Sequence, residues 1–156
     1  MKLYLVQHGE AKPEVEDPER PLTDRGMDEV NRVASAARGL NIQPSKLFHS
    51  DKLRAMQTAA RIAEGLGFPE EIIQEARGLH PTDNIRPWIE RIQEVSKDLM
   101  IVGHLPFLER LASFLLCGDE STRLILFRHG GIVCLVQKED KAWAVGWIFV
   151  PEMAKE

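Results

Sequence analysis

Three residues from well-separated parts of the chain have side chains suited to phosphoryl transfer. His8 follows the apolar run 3–6, and a neutral imidazole can attack phosphorus directly to form a phosphohistidine. Arg54 offers a planar guanidinium that binds two phosphoryl oxygens at once. His104, if protonated, adds a second cation beside the transferring group. These residue types favour phosphoryl transfer through a covalent intermediate on His8.

The elements that must position these residues alternate between strand and helix. Apolar runs predict strands at 3–6, 46–49, 72–73, 99–102, 124–127, 132–136 and 143–150. Helical patterns begin after an N-cap at Thr23, span about 51–66 and 82–95, and begin again near Pro106. This order predicts an α/β fold, a three-layer α/β/α sandwich with a mostly parallel central sheet and an antiparallel C-terminal portion. The length predicts a single domain over residues 1–156.

The second helix and the C-terminal turns have specific expected features. The second helix is expected to bury a stripe of four residues and to be stopped by two glycines; these are Leu53, Met56, Ala60 and Ala63, then Gly65 and Gly67. The dipeptides Gly130-Gly131 and Glu139-Asp140 predict the two turns that connect the antiparallel C-terminal strands.

The predicted sheet brings the reactive residues to one edge. Ligands bind beyond the carboxyl ends of parallel strands. His8 follows the first strand, Ser50 and Arg54 follow the second, and His104 follows the fourth. Arg54 also falls in the first turn of a helix, where free backbone N–H groups favour an anion. We therefore expect these segments to meet at a single site.

Four motifs occur in the order found in a known family. They are Leu5-Val6-Gln7-His8-Gly9-Glu10, Arg20-Pro21-Leu22-Thr23 with Gly26, Ser50 followed by Arg54-Ala55 and Gln57-Thr58, and Gly103-His104-Leu105-Pro106. Together they resemble the histidine phosphatase (phosphoglycerate mutase-like) superfamily. The short chain and the His-Leu-Pro turn are most similar to its SixA-type phosphohistidine phosphatase branch.

The resemblance implies a role for each matching residue. His8 would accept the phosphoryl group, and Arg54 and His104 would complete the catalytic set. The further substrate contacts that it implies are Gly9, Arg20 and Ser50. The superfamily uses no metal, and no other cofactor is implied. The five histidines of this chain also lack the spacing of zinc ligands.

Gln7 departs from the family pattern, which has arginine immediately before the nucleophile. Glutamine keeps an NH₂ donor for a substrate oxygen but has no charge and cannot form a forked contact. The loss of a charge-assisted hydrogen bond costs about 1.5–3 kcal/mol. Three functions therefore remain open. The first is dephosphorylation of phosphohistidine in a protein, the second is phosphomonoester hydrolysis on small molecules, and the third is binding of phosphorylated ligands by an impaired enzyme.

No residue matches a family general acid cleanly. The nearby candidates are Glu75, His80 and Asp83, of which His80 is the possible acid. A weak acid favours a labile P–N bond over a phosphate ester. Glu10 is expected to orient a histidine or an arginine. The tripeptide 128–130 repeats the family's Arg-His-Gly, but it lies between two late strands in a predicted hairpin and is left out of the site.

Composition narrows the classes of partner. The net charge of -4 gives no basic footprint for nucleic acid or an anionic membrane, and no apolar run is long enough to span a membrane. The two cysteines, Cys117 and Cys134, indicate a reduced, cytoplasmic protein. The expected partners are a phosphorylated protein or a small phosphorylated molecule. The sequence does not predict the oligomeric state.

Overall fold

A six-stranded sheet with the strand order β3-β2-β4-β1-β5-β6 organises the computed structural model, which describes residues 1–154. Positions 155 and 156 of the predicted domain lie outside the described residues. The strands are β1 (Lys2–Gln7), β2 (Lys46–His49), β3 (Ile73–Glu75), β4 (Leu99–Gly103), β5 (Ile132–Gln137) and β6 (Trp143–Phe149). The helices are α1 (Asp24–Ala36), α2 (Leu53–Leu66), α3 (Arg86–Glu94) and α4 (Phe107–Cys117).

The strands pair in parallel on one side of β1 and antiparallel on the other. Parallel pairing joins β3 to β2, β2 to β4 and β4 to β1. β5 runs antiparallel to β1, and β6 antiparallel to β5. The sequence prediction of a mostly parallel sheet with an antiparallel C-terminal portion is confirmed.

Helices cover both faces of the sheet because side chains alternate along β1. Leu3 and Leu5 join one buried cluster with residues of α3 and α4. Tyr4 and Val6 join a second cluster with residues of α1 and α2. The predicted three-layer arrangement follows from these two cores.

Local side-chain hydrogen bonds lie at the start of two helices. The Thr23 hydroxyl accepts a hydrogen bond from the Gly26 N–H at 2.9 Å, so α1 begins where the sequence predicts. α3 begins at Arg86, four residues later than predicted. The Asn84 side chain accepts from the Arg86 N–H at 3.0 Å, and this local bond favours a turn over an earlier helix.

The buried face of α2 differs from the predicted stripe. Met56 and Ala60 are exposed, whereas Ala55, Ala59, Ile62 and Ala63 are buried. The predicted stripe included the larger residues Leu53 and Met56. The face that is buried is mostly alanine, and these small side chains allow α2 to lie close to its neighbours.

The two glycines near the end of α2 have different functions. Gly67 adopts a left-handed conformation with φ of 74° and ends the helix. Gly65 lies inside α2, so the prediction that it stops the helix is wrong. A Cβ atom on Gly65 would lie 2.4 Å from the Ala34 Cβ atom of α1, so the absence of a side chain permits the helix contact.

The predicted strand at 124–127 is wrong. Ile125 and Phe127 are buried while Leu124 and Leu126 are exposed, which is the alternation of a strand. However, this segment pairs with no strand among residues 1–154, because β5 already occupies the free side of β1. Gly130-Gly131 therefore does not form a hairpin, whereas the predicted turn at Glu139-Asp140 does join β5 to β6.

None of the helices in the described part of the chain is long and apolar enough to cross a membrane.

Candidate active site

The carboxyl ends of β1, β4 and β2 bring the predicted residues together. The His8 N–H donates to the Gly103 carbonyl at 3.0 Å, and the Ser50 N–H donates to the Val102 carbonyl at 3.2 Å. These bonds continue the parallel ladders by one residue past each strand. His8, Ser50 and His104 consequently meet at the edge that the sequence predicts.

One hydrogen bond fixes the tautomer of His8. The His8 Nδ1 atom lies 2.7 Å from the Gly9 carbonyl oxygen. A carbonyl can only accept, so Nδ1 carries the proton in the neutral ring. The Nε2 lone pair is therefore available to attack phosphorus.

The surroundings of His8 also keep the ring neutral. Burial lowers the His8 pKa from 6.5 to about 4, although the hydrogen bond to the Gly9 carbonyl opposes this effect. The positive charges of Arg54, His129 and Arg20 lower it further. At pH 7 the imidazole is in the form that a nucleophile requires.

His104 is held against Ser50 in the interior. Its Nε2 atom lies 2.8 Å from the Ser50 hydroxyl oxygen, which also accepts from the Lys52 N–H at 3.3 Å. Burial, followed by the charges of His8 and Arg54, lowers the His104 pKa to about 3. His104 is therefore neutral at pH 7, and the cation that the sequence suggests would form only if a bound anion raised this pKa. Its buried Nδ1 has no hydrogen-bond partner within residues 1–154.

Two arginines add positive charge beside the histidines. Arg54 is the second residue of α2, and its buried Nε atom has no partner among the described residues. The positive charge of Arg20 lowers the pKa of both Arg54 and His8. Both arginines line a surface depression whose wall includes Glu14 and Glu19. The depression is thus lined by both basic and acidic side chains.

Gln7 lies at the end of β1 with 7% of its surface exposed. Its side-chain Oε1 atom is buried and accepts no hydrogen bond from the described part of the chain. A buried unpaired amide oxygen costs about 1–3 kcal/mol. The position where the family has an arginine therefore carries a neutral side chain with unused hydrogen-bonding capacity.

Two α2 residues without a predicted role position the backbone of the site. The Thr58 hydroxyl accepts from the Gly9 N–H at 2.9 Å and donates to the Arg54 carbonyl at 2.7 Å. The Gln57 side chain accepts from the Leu22 N–H at 2.8 Å. The sequence signal was the Gln57-Thr58 motif, which marks family membership without revealing these contacts.

The three candidate acids line a neighbouring depression with Asp51. His80 Nε2 lies 2.6 Å from the Asp51 carboxylate, and the His80 N–H donates to the Asp83 carboxylate at 2.8 Å. The electrostatic effect of His80 contributes to lowering the His104 pKa. Glu75 lies at the end of β3. The Asp51 carboxylate therefore orients the His80 ring.

The prediction that Glu10 orients a histidine or an arginine is wrong. Its carboxylate accepts from the Thr23 hydroxyl at 2.9 Å, and its carbonyl accepts from the Thr23 N–H at 2.9 Å. Glu10 therefore stabilises the start of α1. His49 is buried, and its Nδ1 lies 2.9 Å from the Ser50 carbonyl oxygen.

The structure also places His129 beside His8, although residues 128–130 were not predicted to belong to the site. The His129 ring lies 5.4 Å from the His8 ring, centroid to centroid. The reason is topological, because an antiparallel strand begins where its neighbour ends. Ile132 at the start of β5 pairs with Val6 near the end of β1.

Within residues 1–154, no cluster of three or more His, Cys, Asp or Glu side chains has the arrangement of a metal site.

The family model for the histidine phosphatase superfamily (branch 1) matches residues 3–84 of the 156 residues, which is more than half of the chain. The matched region includes His8, Arg20, Ser50 and Arg54. The chain belongs to this superfamily. Three of the four motifs lie in the matched region, and the fourth, at 103–106, lies beyond it.

Two relatives show how far the similarity extends. The phosphohistidine phosphatase SixA of Escherichia coli is 24% identical over 162 aligned positions, which cover 99% of each chain. An uncharacterized protein of Picosynechococcus is 33% identical over 139 positions, which cover 83% of this chain and 82% of its own.

Solved structures share the fold over nearly the full length. The protein histidine phosphatase SixA complexed with tungstate has a TM-score of 0.83 at 23% identity and covers 99% of this chain and 100% of its own. The alpha-ribazole phosphatase of Shigella flexneri has a TM-score of 0.78 at 15% identity, with 97% of each chain covered. The small SixA-type architecture inferred from the sequence is thus supported by both sequence and fold.

Proposed function

We propose that this protein is a metal-independent phosphatase that uses His8 as its nucleophile and acts on phosphohistidine in a protein. The observation that carries the proposal is the His8 tautomer. Its Nδ1 is bound to the Gly9 carbonyl at 2.7 Å, so Nε2 has a free lone pair. The low pKa of about 4 keeps that lone pair available at neutral pH.

The first chemical step would transfer the phosphoryl group to His8. The Nε2 lone pair attacks phosphorus, and the bond between phosphorus and the leaving nitrogen breaks with its electron pair going to that nitrogen. His80, oriented by Asp51 at 2.6 Å, is the candidate to donate the proton that this nitrogen needs. Arg54 would bind the phosphoryl oxygens through its guanidinium, and His104 would bind one through a ring N–H.

The second step would regenerate the enzyme. Water attacks the phosphoryl group, the bond between phosphorus and Nε2 breaks, and the electron pair returns to His8. The proton released by water restores the acid that gave one up in the first step, and phosphate leaves.

Two features favour a P–N substrate. His80, the candidate acid whose ring contacts a carboxylate, has a side chain that is 45% exposed. A weakly placed acid suits a labile P–N bond better than an ester with a poor leaving group. The relative named phosphohistidine phosphatase aligns with 99% of this chain, which supports the same choice.

The experiment compares hydrolysis of a phosphoramidate, an aryl phosphate and a histidine-phosphorylated protein in the presence of a chelator. Wild type should hydrolyse the P–N substrates faster than the ester, and an alkaline quench should trap a phosphoryl group on His8. His8→Ala, with its fold checked by circular dichroism, should show neither activity nor the adduct. Turnover by His8→Ala, or loss of activity with the chelator, would refute the proposal.

Gln7 supports a second candidate function, the binding of phosphorylated ligands without turnover. The side chain is buried and neutral where the family pattern has a cation. If this alternative holds, wild type forms no phosphoenzyme, His8→Ala still binds phosphorylated ligands, and Gln7→Arg restores activity. If the wild type is active, Gln7→Arg instead reports whether glutamine slows the reaction or adapts it to its substrate.

A further inference from the structure

The His8 ring lies between two other imidazole rings. On one side the buried His104 ring is 5.2 Å away, with an interplanar angle of 59°. On the other side the His129 ring is 5.4 Å away, with an interplanar angle of 44°. Unlike His104, His129 is exposed, so it lies where an incoming substrate can contact it.

Backbone bonds hold His129 against the end of β1. The Gly130 N–H donates to the Gln7 carbonyl at 2.9 Å, and the Gly131 N–H donates to the Arg128 carbonyl at 3.0 Å. Gly130 adopts φ of 74°, a conformation that side chains disfavour. The loop that carries His129 is therefore fixed to the residue that immediately precedes the nucleophile.

The position beside His8 suits the phosphoryl oxygens better than the leaving group. In an in-line attack, the three phosphoryl oxygens surround the line from Nε2 to phosphorus, and the leaving atom lies at its far end. A ring packed beside His8 can reach one of those oxygens. An imidazole has at least one N–H donor in either protonation state, so it can serve as a hydrogen-bond donor at any pH.

Position 7 supplies a weaker contact than the family pattern does, because an amide NH₂ is a single neutral donor. The family arginine would supply a charged fork there, whereas Gln7 is neutral. His129 approaches from the loop that is bonded to the Gln7 backbone.

We propose that His129 is a substrate-binding residue that donates a hydrogen bond to a phosphoryl oxygen and compensates for the missing arginine at position 7. This inference rests on the proposed function for the identity of the bound group. It adds a contact from outside the four family motifs.

The first measurement is the affinity for inorganic phosphate and for tungstate at pH 7, by calorimetry, which does not depend on turnover. His129→Ala should weaken binding by about tenfold, the effect of losing one hydrogen bond to a charged group. His129→Lys should retain most of the affinity, because it keeps a donor. Arg128→Ala, on the same loop, is the matched control and should change affinity little.

Kinetics separate this role from that of a proton donor. His129→Ala should lower kcat/KM for the phosphoramidate and the aryl phosphate by the same factor, because both substrates present the same phosphoryl group. An effect confined to the poorer leaving group would overturn the proposal. Equal losses in His129→Ala and Arg128→Ala would also overturn it, since they would indicate a general charge effect.

A double-mutant cycle tests the link to position 7. In the Gln7→Arg background the effect of His129→Ala on phosphate affinity should be much smaller than in wild type. Strictly additive effects would refute compensation. If the wild type binds phosphate but forms no phosphoenzyme, the proposed enzyme function fails, while the affinity series still decides the role of His129.

Discussion

A single backbone carbonyl and burial set the protonation state of the His8 ring. The Gly9 carbonyl holds the proton on Nδ1, and burial suppresses protonation of Nε2. Both effects are required, because a protonated ring has no lone pair and the other tautomer would offer the wrong nitrogen. The Gly9 N–H is in turn bonded to the Thr58 hydroxyl, so both backbone polar groups of Gly9 are paired.

At the residue scale, we predict that His8 does not titrate in the usual histidine range. An NMR titration should show its imidazole neutral from pH 8 down to about pH 5, with a midpoint near 4, and with the proton on Nδ1. The His8→Gln variant assigns the signal. A midpoint near 6.5 would contradict the prediction, as would a proton on Nε2 in the neutral form.

At the scale of the elements, α1 and α2 pack closely near the C-terminal end of α2. Gly65 of α2 faces Ala34 of α1 with no room for a methyl group. In the N-terminal half of the same helix, the Thr58 hydroxyl accepts from the Gly9 N–H in the loop after β1. A change in this helix spacing should therefore affect both stability and the site.

We predict that Gly65→Ala lowers the free energy of unfolding by about 1–3 kcal/mol, because overpacking outweighs the gain of about 1 kcal/mol in helix propensity. Adding Ala34→Gly should recover part of the loss, since it removes the opposing methyl group. Chemical denaturation provides the measurement. Gly39→Ala is the control, because a Cβ atom there meets nothing within 4 Å. A fully additive double variant would argue against the contact.

At the scale of the whole molecule, the site makes folding stability depend on pH. His8 and His104 are buried with lowered pKa values, about 4 and about 3. The unfolded chain binds protons at these positions below pH 6.5, while the folded chain does not until the lower values are reached. Stability therefore falls as the pH drops from 6.5 towards 4, and His104 extends the loss towards pH 3.

We predict that the free energy of unfolding decreases across this window, with a contribution of about 3 kcal/mol from His8 alone, which follows from its pKa change from 6.5 to about 4. Urea unfolding at a series of pH values provides the measurement. His8→Gln should show a shallower decrease between pH 6.5 and 4. An identical decrease in the two proteins would show that other groups control acid stability.

Some of this architecture follows from the sequence because its physical causes are local. The Thr23 cap, the strand at 46–49 and the helix after it are set by neighbouring residues, so their patterns are readable along the chain. The convergence of His8, Ser50 and His104 also follows, because parallel strands expose their carboxyl ends at one edge.

The remaining features depend on which strands become neighbours, and local patterns do not contain that information. The segment 124–127 has the alternation of a strand but no pairing partner, since β5 lies beside β1 instead. The same pairing brings His129 to His8 across 121 positions of sequence, and the partners of Glu10 and Thr58 likewise come from other elements. The family, the alternating elements and the place of His8 at a strand end are therefore readable along the chain. The surroundings of His8 emerge only in the folded protein, because those contacts arise when distant elements pack.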